Sequence, residues 1–527
     1  RRSQTLVRRG TAARGMAAIL LPALVATAAL PEAKLLERLP TAPGIAVLLD
    51  PQPAELAIKL AGQGEWTIYC QLPSDAQVAA TRQRVDRAGL LGTRIYVEKG
   101  TWNHIHLADN LADAVIVTRQ AAAAASIERE ELLRVVNPLG RVLLGDKQFG
   151  KPFPKGIDDW THPYHGPDNN PQSRDQVARG PYLTQYFAGP YFVPPPGVSV
   201  AAGGRMFKAY GHLAFHSREW PWRNRLVAMN AFNGTIPWTR PLAEGFNVHR
   251  NTLVATPTTV YLGDDVSCKL IAAATGTLQG EIVAPAGAAG PVWKWMAIEG
   301  GTLYGLLGEK EFFDPGHKKT NSPPGWPWGG MSPGYDLATH PWGFGRTFLA
   351  VDLKTRGILW VHNETETIDS RGVSMAGGRI FYYCEQKHLA CLDTASGKLA
   401  WRVADGPLLE TIGPTERAQN WNAGMSTFGY MMCSDKAVYF IGPHRKRVVA
   451  VAAADGRLMW QYPFGNFRPV LRGEGLYAMA PPLGNEDSLL LDPLTGATLA
   501  KLNCRRSACT RPTGTADGIF CRAENDW

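Results

Sequence analysis

Two textures of apolar and polar positions divide the chain. Between residues 43 and 150, apolar residues come in short solid runs separated by stretches with helical spacing. Ile45-Ala-Val-Leu-Leu49 has no polar gap, as in a strand covered on both faces. Residues 54–61 read as a helix, 66–71 as a second strand and 75–88 as a helix. Residues 93–98 and 114–118 read as strands, 128–136 as a helix and 141–144 as a fifth strand. Strands alternating with helices predict a parallel, doubly wound (Rossmann-like) α/β domain. From residue 156 to 527 the pattern changes to short alternating strands between Gly- and Pro-rich turns, which predicts a mainly β structure.

The second texture repeats with a period of about forty residues. Leu226-Val-Ala-Met-Asn-Ala-Phe-Asn-Gly234 is followed by Trp238, and Leu389-Ala-Cys-Leu-Asp-Thr-Ala-Ser-Gly397 by Trp401. Val448-Val-Ala-Val-Ala-Ala-Ala-Asp-Gly456 is followed by Trp460, and Ser488-Leu-Leu-Leu-Asp-Pro-Leu-Thr-Gly496 is a further copy. In the copy running from Phe348 to Trp360, Arg356 stands at the glycine position. Weaker copies carry Ala272 at the Asp position and Gly280 and Ala500 at the Trp position. Asn-Gly, Ser-Gly, Asp-Gly and Thr-Gly tolerate positive φ and predict two-residue hairpin turns. A strand before each unit and a Trp strand after it predict four-stranded blades. Blades repeated radially make a β-propeller.

The pattern Ala-x-Asp-x-x-x-Gly-x-x-x-Trp resembles the tryptophan-docking repeat of pyrroloquinoline-quinone (PQQ, quinoprotein) propellers, a family of alcohol dehydrogenases and outer-membrane assembly proteins. Gly234, Trp238, Trp360, Gly397, Trp401, Gly456 and Trp460 are the matching docking positions, with Asn230 and Ala452 in place of Asp. The resemblance covers residues 156–527 and implies a propeller in which the docking residues are structural. Seven blade starts are visible, the last incomplete. A fragment of an eight-bladed parent is one expectation.

Residues 43–150 resemble class I S-adenosylmethionine-dependent methyltransferases. The likeness rests on Arg87-Ala-Gly-Leu90, Leu107-Ala-Asp-Asn-Leu-Ala-Asp113, Leu132-Leu-Arg-Val-Val136 and Pro138-Leu-Gly-Arg-Val142. The first strand, however, ends in Asp50-Pro-Gln-Pro53, where such a fold needs glycine for close approach to its cofactor. The second ends in Tyr69-Cys70-Gln71-Leu72-Pro73, without the acid that holds ribose hydroxyls. A cofactor-free docking domain is the expectation. The pairing of this front end with a propeller resembles large exported proteins of planctomycetes.

Composition narrows the function. Apolar residues make up 45% and charged residues 19%, a globular balance. The net charge is +9, but Arg1, Arg2, Arg8, Arg9 and Arg14 supply five of those charges, so no nucleic-acid partner is implied. This basic stretch precedes an apolar run from Met16 to Leu30 and the small residues Ala26-Thr27-Ala28-Ala29. Residues 1–30 therefore read as a signal peptide, with a periplasmic or extracellular product and no stable membrane span after removal. The eight cysteines include no Cys-x-x-Cys pair. Cys504 and Cys509 are close enough to bridge a short loop. A turn at Lys387-His388 would set Cys384 opposite Cys391 in a hydrogen-bonded pair, where a disulfide is not favoured.

Candidate chemistry is sparse. His162, His165, Asp168, Asn170 and Asp175 form the densest polar cluster, a candidate metal site whose bland reading is an entry loop of turn-capping side chains. The insertion 312–348 carries Trp326, Trp328, Tyr335 and Trp342, and with Trp220 and Trp222 these aromatics suit a carbohydrate or an envelope protein. The propeller resemblance implies PQQ and calcium on the axis for catalytic members, held against adjacent cysteines, a pair this chain lacks. The reading is an exported, non-catalytic binding or scaffold module without a cofactor. The alternatives are a PQQ- and calcium-dependent oxidoreductase of alcohols or sugars and, last, a methyltransferase.

Overall fold

The computed structural model describes residues 37–40, 43–181, 186–191, 194, 197–211, 217–242, 251–264, 266–310, 343–413, 429–441, 446–465, 468–480, 486–505 and 511–521. The candidate signal peptide, Trp326, Trp328, Tyr335, Trp342 and Cys509 lie outside them. The chain divides into a front unit, Arg1–Leu39, of which only residues 37–39 are described, and the unit Pro40–Trp527, which carries every described strand and helix.

The α/β part is one six-stranded sheet: β1 (Gly44–Leu49), β2 (Trp66–Leu72), β3 (Ile95–Lys99), β4 (Ala112–Val117), β5 (Val136–Leu144) and β6 (Lys147–Phe149). The spatial order is β3-β2-β1-β4-β5-β6, parallel except for β6. The switch of strand order between β1 and β4 marks where doubly wound sheets open a crevice. Helices α1 (Ala54–Gly62) and α2 (Asp75–Arg87) were legible in the spacing. A short helix, α3 (Arg119–Ala124), was not: its alanine run has no amphipathic stripe, and the Thr118 cap starts it. A further helix, α4 (Arg129–Val135), precedes β5.

Six four-stranded antiparallel sheets come next in the chain. Sheet I is β7 to β10 (Gly197–Ala202, Arg205–Tyr210, Arg225–Asn230, Trp238–Pro241), and sheet II is β11 to β14 (Leu253–Ala255, Thr259–Gly263, Ser267–Ala272, Leu278–Val283). Sheet III is β15 to β18 (Val292–Glu299, Thr302–Gly308, Phe344–Asp352, Ile358–Asp369), and sheet IV is β19 to β22 (Val373–Ala376, Arg379–Cys384, His388–Asp393, Leu399–Val403). Sheet V is β23 to β26 (Met431–Cys433, Ala437–Phe440, Val448–Ala452, Leu458–Tyr462), and sheet VI is β27 to β30 (Arg468–Arg472, Gly475–Met479, Ser488–Leu491, Thr498–Leu502). A two-stranded sheet, β31 (Thr513–Gly514) and β32 (Ile519–Phe520), is the seventh. First strands are buried and last strands are largely exposed, as in β11 against β14 and β27 against β30. Apolar clusters lie between consecutive sheets I and II, II and III, III and IV, IV and V, and V and VI. Sheets stacked face to face around a buried set of first strands make a β-propeller.

The turn joining third and fourth strands differs from the two-residue hairpin that the Ser-Gly and Asp-Gly pairs predict. Four residues intervene. Asp393 N–H donates to Lys398 O, and Gly397 N–H donates back to Asp393 O at 2.8 Å. The same closing bond recurs at Gly234, Gly276, Arg356, Gly456 and Gly496. Where the repeat has Asp, its Oδ1 accepts the N–H three residues on, at Thr355, Ser396 and Thr495. This carboxylate cap stabilises a helical turn, which ends in left-handed backbone: φ is +67° at Gly397 and +60° at Arg356.

Candidate functional site

Docking tryptophans seal the junctions between sheets. Nε1 of Trp238, Trp360, Trp401 and Trp460 donates to Ala273 O, Thr394 O, Ala453 O and Pro493 O of the next sheet, at 2.8–3.0 Å. Each indole lies on the next turn's glycine, and a Cβ at Gly276 would stand 2.7 Å from Trp238. At Gly234 no docking tryptophan arrives among the described residues. Tyr186 takes that place, its hydroxyl donating to Ala231 O at 2.8 Å and its ring covering Gly234. The sheet II–III junction has swapped its parts. Gly280 stands where Trp would be, and the Arg356 guanidinium from the opposing turn fills the slot and reaches Gln279 O.

Residues 160–172 visit the first strand of all seven sheets in chain order. Trp160 O accepts from Ala201 N–H of β7, and Thr161 O from Ala255 N–H of β11. His162 Nε2 accepts from Ile298 N–H of β15 at 3.0 Å. Pro167 O accepts from Met375 N–H of β19, and Asp168 O from Cys433 N–H of β23. Asn170 exchanges two bonds with Leu471 of β27, and Pro171 O accepts from Gly514 N–H of β31. Asn169 donates to both Val373 O and Met431 O, and the Tyr164 hydroxyl accepts from Gly429 N–H. A segment bonded in turn to every innermost strand lies on the axis of the ring. Beside it a cleft of about 400 Å³, lined by Trp160, Tyr164, Met206, Arg511 and Thr513, separates β7 from the seventh sheet.

The five candidate metal residues sit in or beside this segment, each with its own partner. His162 is buried, and burial with His165 nearby holds its imidazole down at about 3, so Nε2 stays an acceptor. His165 Nε2 pairs with Asp158 at 2.6 Å. Asp168 caps Asn170 N–H, and burial pushes its carboxyl up. Asp175 caps Val177 and Ala178. Asn170 is spent on Leu471. His162 and Asn170 bond outward to strands, and His165, Asp168 and Asp175 bond within the entry segment, so each is engaged separately.

Neither cofactor of the resembling families fits these residues. The axis at the carboxyl ends of the first strands is filled by the chain itself, where quinone and calcium would need room. In the α/β part, the strand-end crevice is filled too. Gln71 is fully buried and donates to Thr101 O and His104 O, while its own O accepts the Trp102 indole N–H at 2.7 Å. Trp102 and Ile105 pack among Leu49, Tyr69 and Val117 at the ends of β1, β2 and β4. Asp50 accepts Gln52 N–H and Pro53 opens α1, so a rigid turn replaces the glycine-rich loop.

The amino ends of β1 and β4, opposite that crevice, carry a site the sequence did not single out. The Asp113 carboxylate accepts four N–H donors: Ile45 N at 2.8 Å, Asn137 Nδ2 at 2.9 Å, Asn230 Nδ2 at 2.7 Å and Asn233 Nδ2 at 2.9 Å. The last two belong to the turn of sheet I, and Asn233 also donates to Leu111 O. Burial pushes the Asp113 carboxyl up, against the pull of the four donors. The clasp ties the α/β part to the propeller. Its one signal in the sequence was Asn230 at the repeat's Asp position.

The aromatics of the remaining candidate surface divide. Trp220 is 42% exposed with Arg223 over its ring, whereas Trp222 packs edge-on to Tyr210. The segment 217–222 joins second and third strands of sheet I, as the insertion does between β16 and β17 of sheet III. In an up-and-down sheet all such connections emerge at one end. The third-to-fourth turns, and with them the α/β clasp, emerge at the other. Among the described residues no helix is long and apolar enough to cross a membrane.

Comparison with known proteins agrees with the repeat. Residues 346–507 match the family described as outer membrane protein assembly factor BamB. The chain is similar to BamB from Moraxella catarrhalis at 13% identity and a TM-score of 0.37, over 63% of this chain and 87% of that one. It is similar to a europium-containing methanol dehydrogenase at 10% identity and a TM-score of 0.41, over 70% and 82%. A Methanococcus maripaludis protein described as an S-adenosyl-L-methionine-dependent methyltransferase matches at 20% identity and a TM-score of 0.20, over 21% of this chain and 51% of that one. No curated protein sequence matches.

Proposed function

We propose that this PQQ-type propeller is an exported, non-catalytic scaffold that binds an envelope protein. The observation that carries the reading is the axial segment 160–172, bonded to the first strands of all seven sheets on the axis to which the resemblance assigns the quinone of catalytic members. The α/β part is a docking domain with a filled cofactor crevice. It is clasped to one end of sheet I, which leaves the end with Trp220 for the partner. Stacking on a sugar ring is the second use these aromatics allow.

The test is thermal or calorimetric titration of the full chain with PQQ and calcium, alongside dye-linked alcohol oxidation. The expected result is no shift of the unfolding transition and no turnover. Saturable stabilisation by about 2–3 kcal/mol, the linkage expected at about 100 times Kd, would overturn the reading in favour of an oxidoreductase.

A further inference from the structure

We propose that the junction of sheets III and IV is a binding site for a divalent transition-metal ion of the zinc class, held by Glu364, Cys384 and His388. The site goes beyond the scaffold reading and stands whether or not that reading does.

Turn length makes the site. β20 and β21 are joined by three residues, 385–387, with Gln386 in left-handed backbone at φ +57°. Cys384 therefore pairs with His388, not with Cys391, which pairs with Phe381; all three side chains are buried, and both thiols are free. Glu364 reaches the same spot from β18 of the preceding sheet. One ligand atom from each of the three lies within 4.8 Å of the other two. His388 is only 5% exposed, and its Nε2 has no hydrogen-bond partner, although it stands 3.4 Å from Glu364 Oε2. An imidazole nitrogen buried without a partner, facing a carboxylate and a thiol, is costly unless something completes it. Sulfur, nitrogen and carboxylate oxygen together suit zinc rather than calcium or magnesium. The arrangement is not a property of the repeat. Glu364 stands four residues past Trp360, and Leu242 occupies that place after Trp238.

A cation already faces the carboxylate. Arg402 donates to Glu364 Oε2 at 2.6 Å, the Tyr382 hydroxyl at 2.7 Å, and Thr365 N–H holds Oε1. The Arg402 side chain is 38% exposed and has a path to water, so the guanidinium is a place-holder an incoming ion displaces. Binding converts the Cys384 thiol to a thiolate, its proton leaving to solvent. Thiolate and carboxylate then balance the two charges of the ion.

The test uses the full chain, stripped with chelator and kept reduced, titrated with Co²⁺ and then Zn²⁺. The expected result is 1:1 binding with thiolate-to-cobalt charge-transfer absorption, displaced by zinc and absent with magnesium. Arg402→Ala tightens cobalt binding by about tenfold or more, because it removes the competing cation, whereas Cys384→Ser abolishes the charge-transfer band and His388→Ala weakens binding. The Arg402 variant lies on the exposed side and leaves the three ligands in place. A wild-type chain with no 1:1 absorption overturns the proposal, as does a band that survives in Cys384→Ser. An Arg402→Ala variant that binds no better overturns the place-holder role.

Discussion

Restoring the repeat's own residue at position 230 should damage the protein. In Asn230→Asp a second carboxylate takes the place of an amide that donates to Asp113 at 2.7 Å. Two charges at that distance repel by about 6 kcal/mol at an effective dielectric constant of about 20. The pair avoids this by holding a proton. Taking up a proton on a carboxyl with a pKa of about 4 costs about 4 kcal/mol at pH 7, at roughly 1.4 kcal/mol per pH unit. The shared proton then restores the bond between the two side chains, so the cost of protonation sets the loss. The folded pair binds a proton the unfolded chain does not, so its effective pKa is raised. The loss is therefore greatest at pH 7, shrinks as pH falls and vanishes near pH 4. Urea unfolding of wild type and variant from pH 4.5 to 7 measures the slope. Protease cleavage in residues 150–156 reports undocking of the α/β part, which caps the loss if it is cheaper than protonation. Asp393→Asn, in a turn with no facing carboxylate, is the control and should cost no more than about 1 kcal/mol. A variant within 0.5 kcal/mol of wild type at pH 7, with the linker still protected, would refute the clasp.

The remaining expectations concern the propeller. Gly397→Ala should cost more than about 3 kcal/mol in urea unfolding, since its Cβ would strike the Trp360 indole at φ +67°; Gly300→Ala, at φ +56° in open space, should cost only about 1 kcal/mol. Asn169→Ala strips two buried carbonyls on sheets IV and V of their donor and should cost about 2–3 kcal/mol by the same assay, whereas a loose axial loop would tolerate it. Burial opposes the Glu364 charge, but the Tyr382 and Thr365 bonds and Arg402 hold its carboxyl down at about 2 from an ordinary 4.5. A depressed pKa stabilises above the unfolded value and is lost as pH falls toward the folded one. Metal-free wild type should therefore lose about 2 kcal/mol between pH 5 and 2.5 that Glu364→Gln does not.

What the sequence carried and what it withheld divide along a physical line. The turn glycine and the tryptophan four residues later are local geometry. Left-handed backbone favours glycine, and the indole must lie where the next turn leaves no Cβ, so the two recur together at Gly234 and Trp238, Gly397 and Trp401, and Gly456 and Trp460. Departures from that pattern carried tertiary information that a single copy cannot decode. Arg356 and Gly280 look like two defects until the structure shows one filling the slot the other opens. Asn230 looks like a lapse from Asp until the Asp113 carboxylate of β4 is found against it. Spacing also cannot tell donors that converge from donors that diverge. Residues 162–175 are dense in His, Asp and Asn because His162, Asn169 and Asn170 bond different strands while His165, Asp168 and Asp175 hold the segment's own turns, and the same density would serve a metal. The Glu364 site escaped for the opposite reason. Its residues are far apart in the chain, and the one close pair, Cys384 and His388, meets only if the turn holds three residues, a choice fixed by the φ of Gln386 and invisible to pairing rules that assume two.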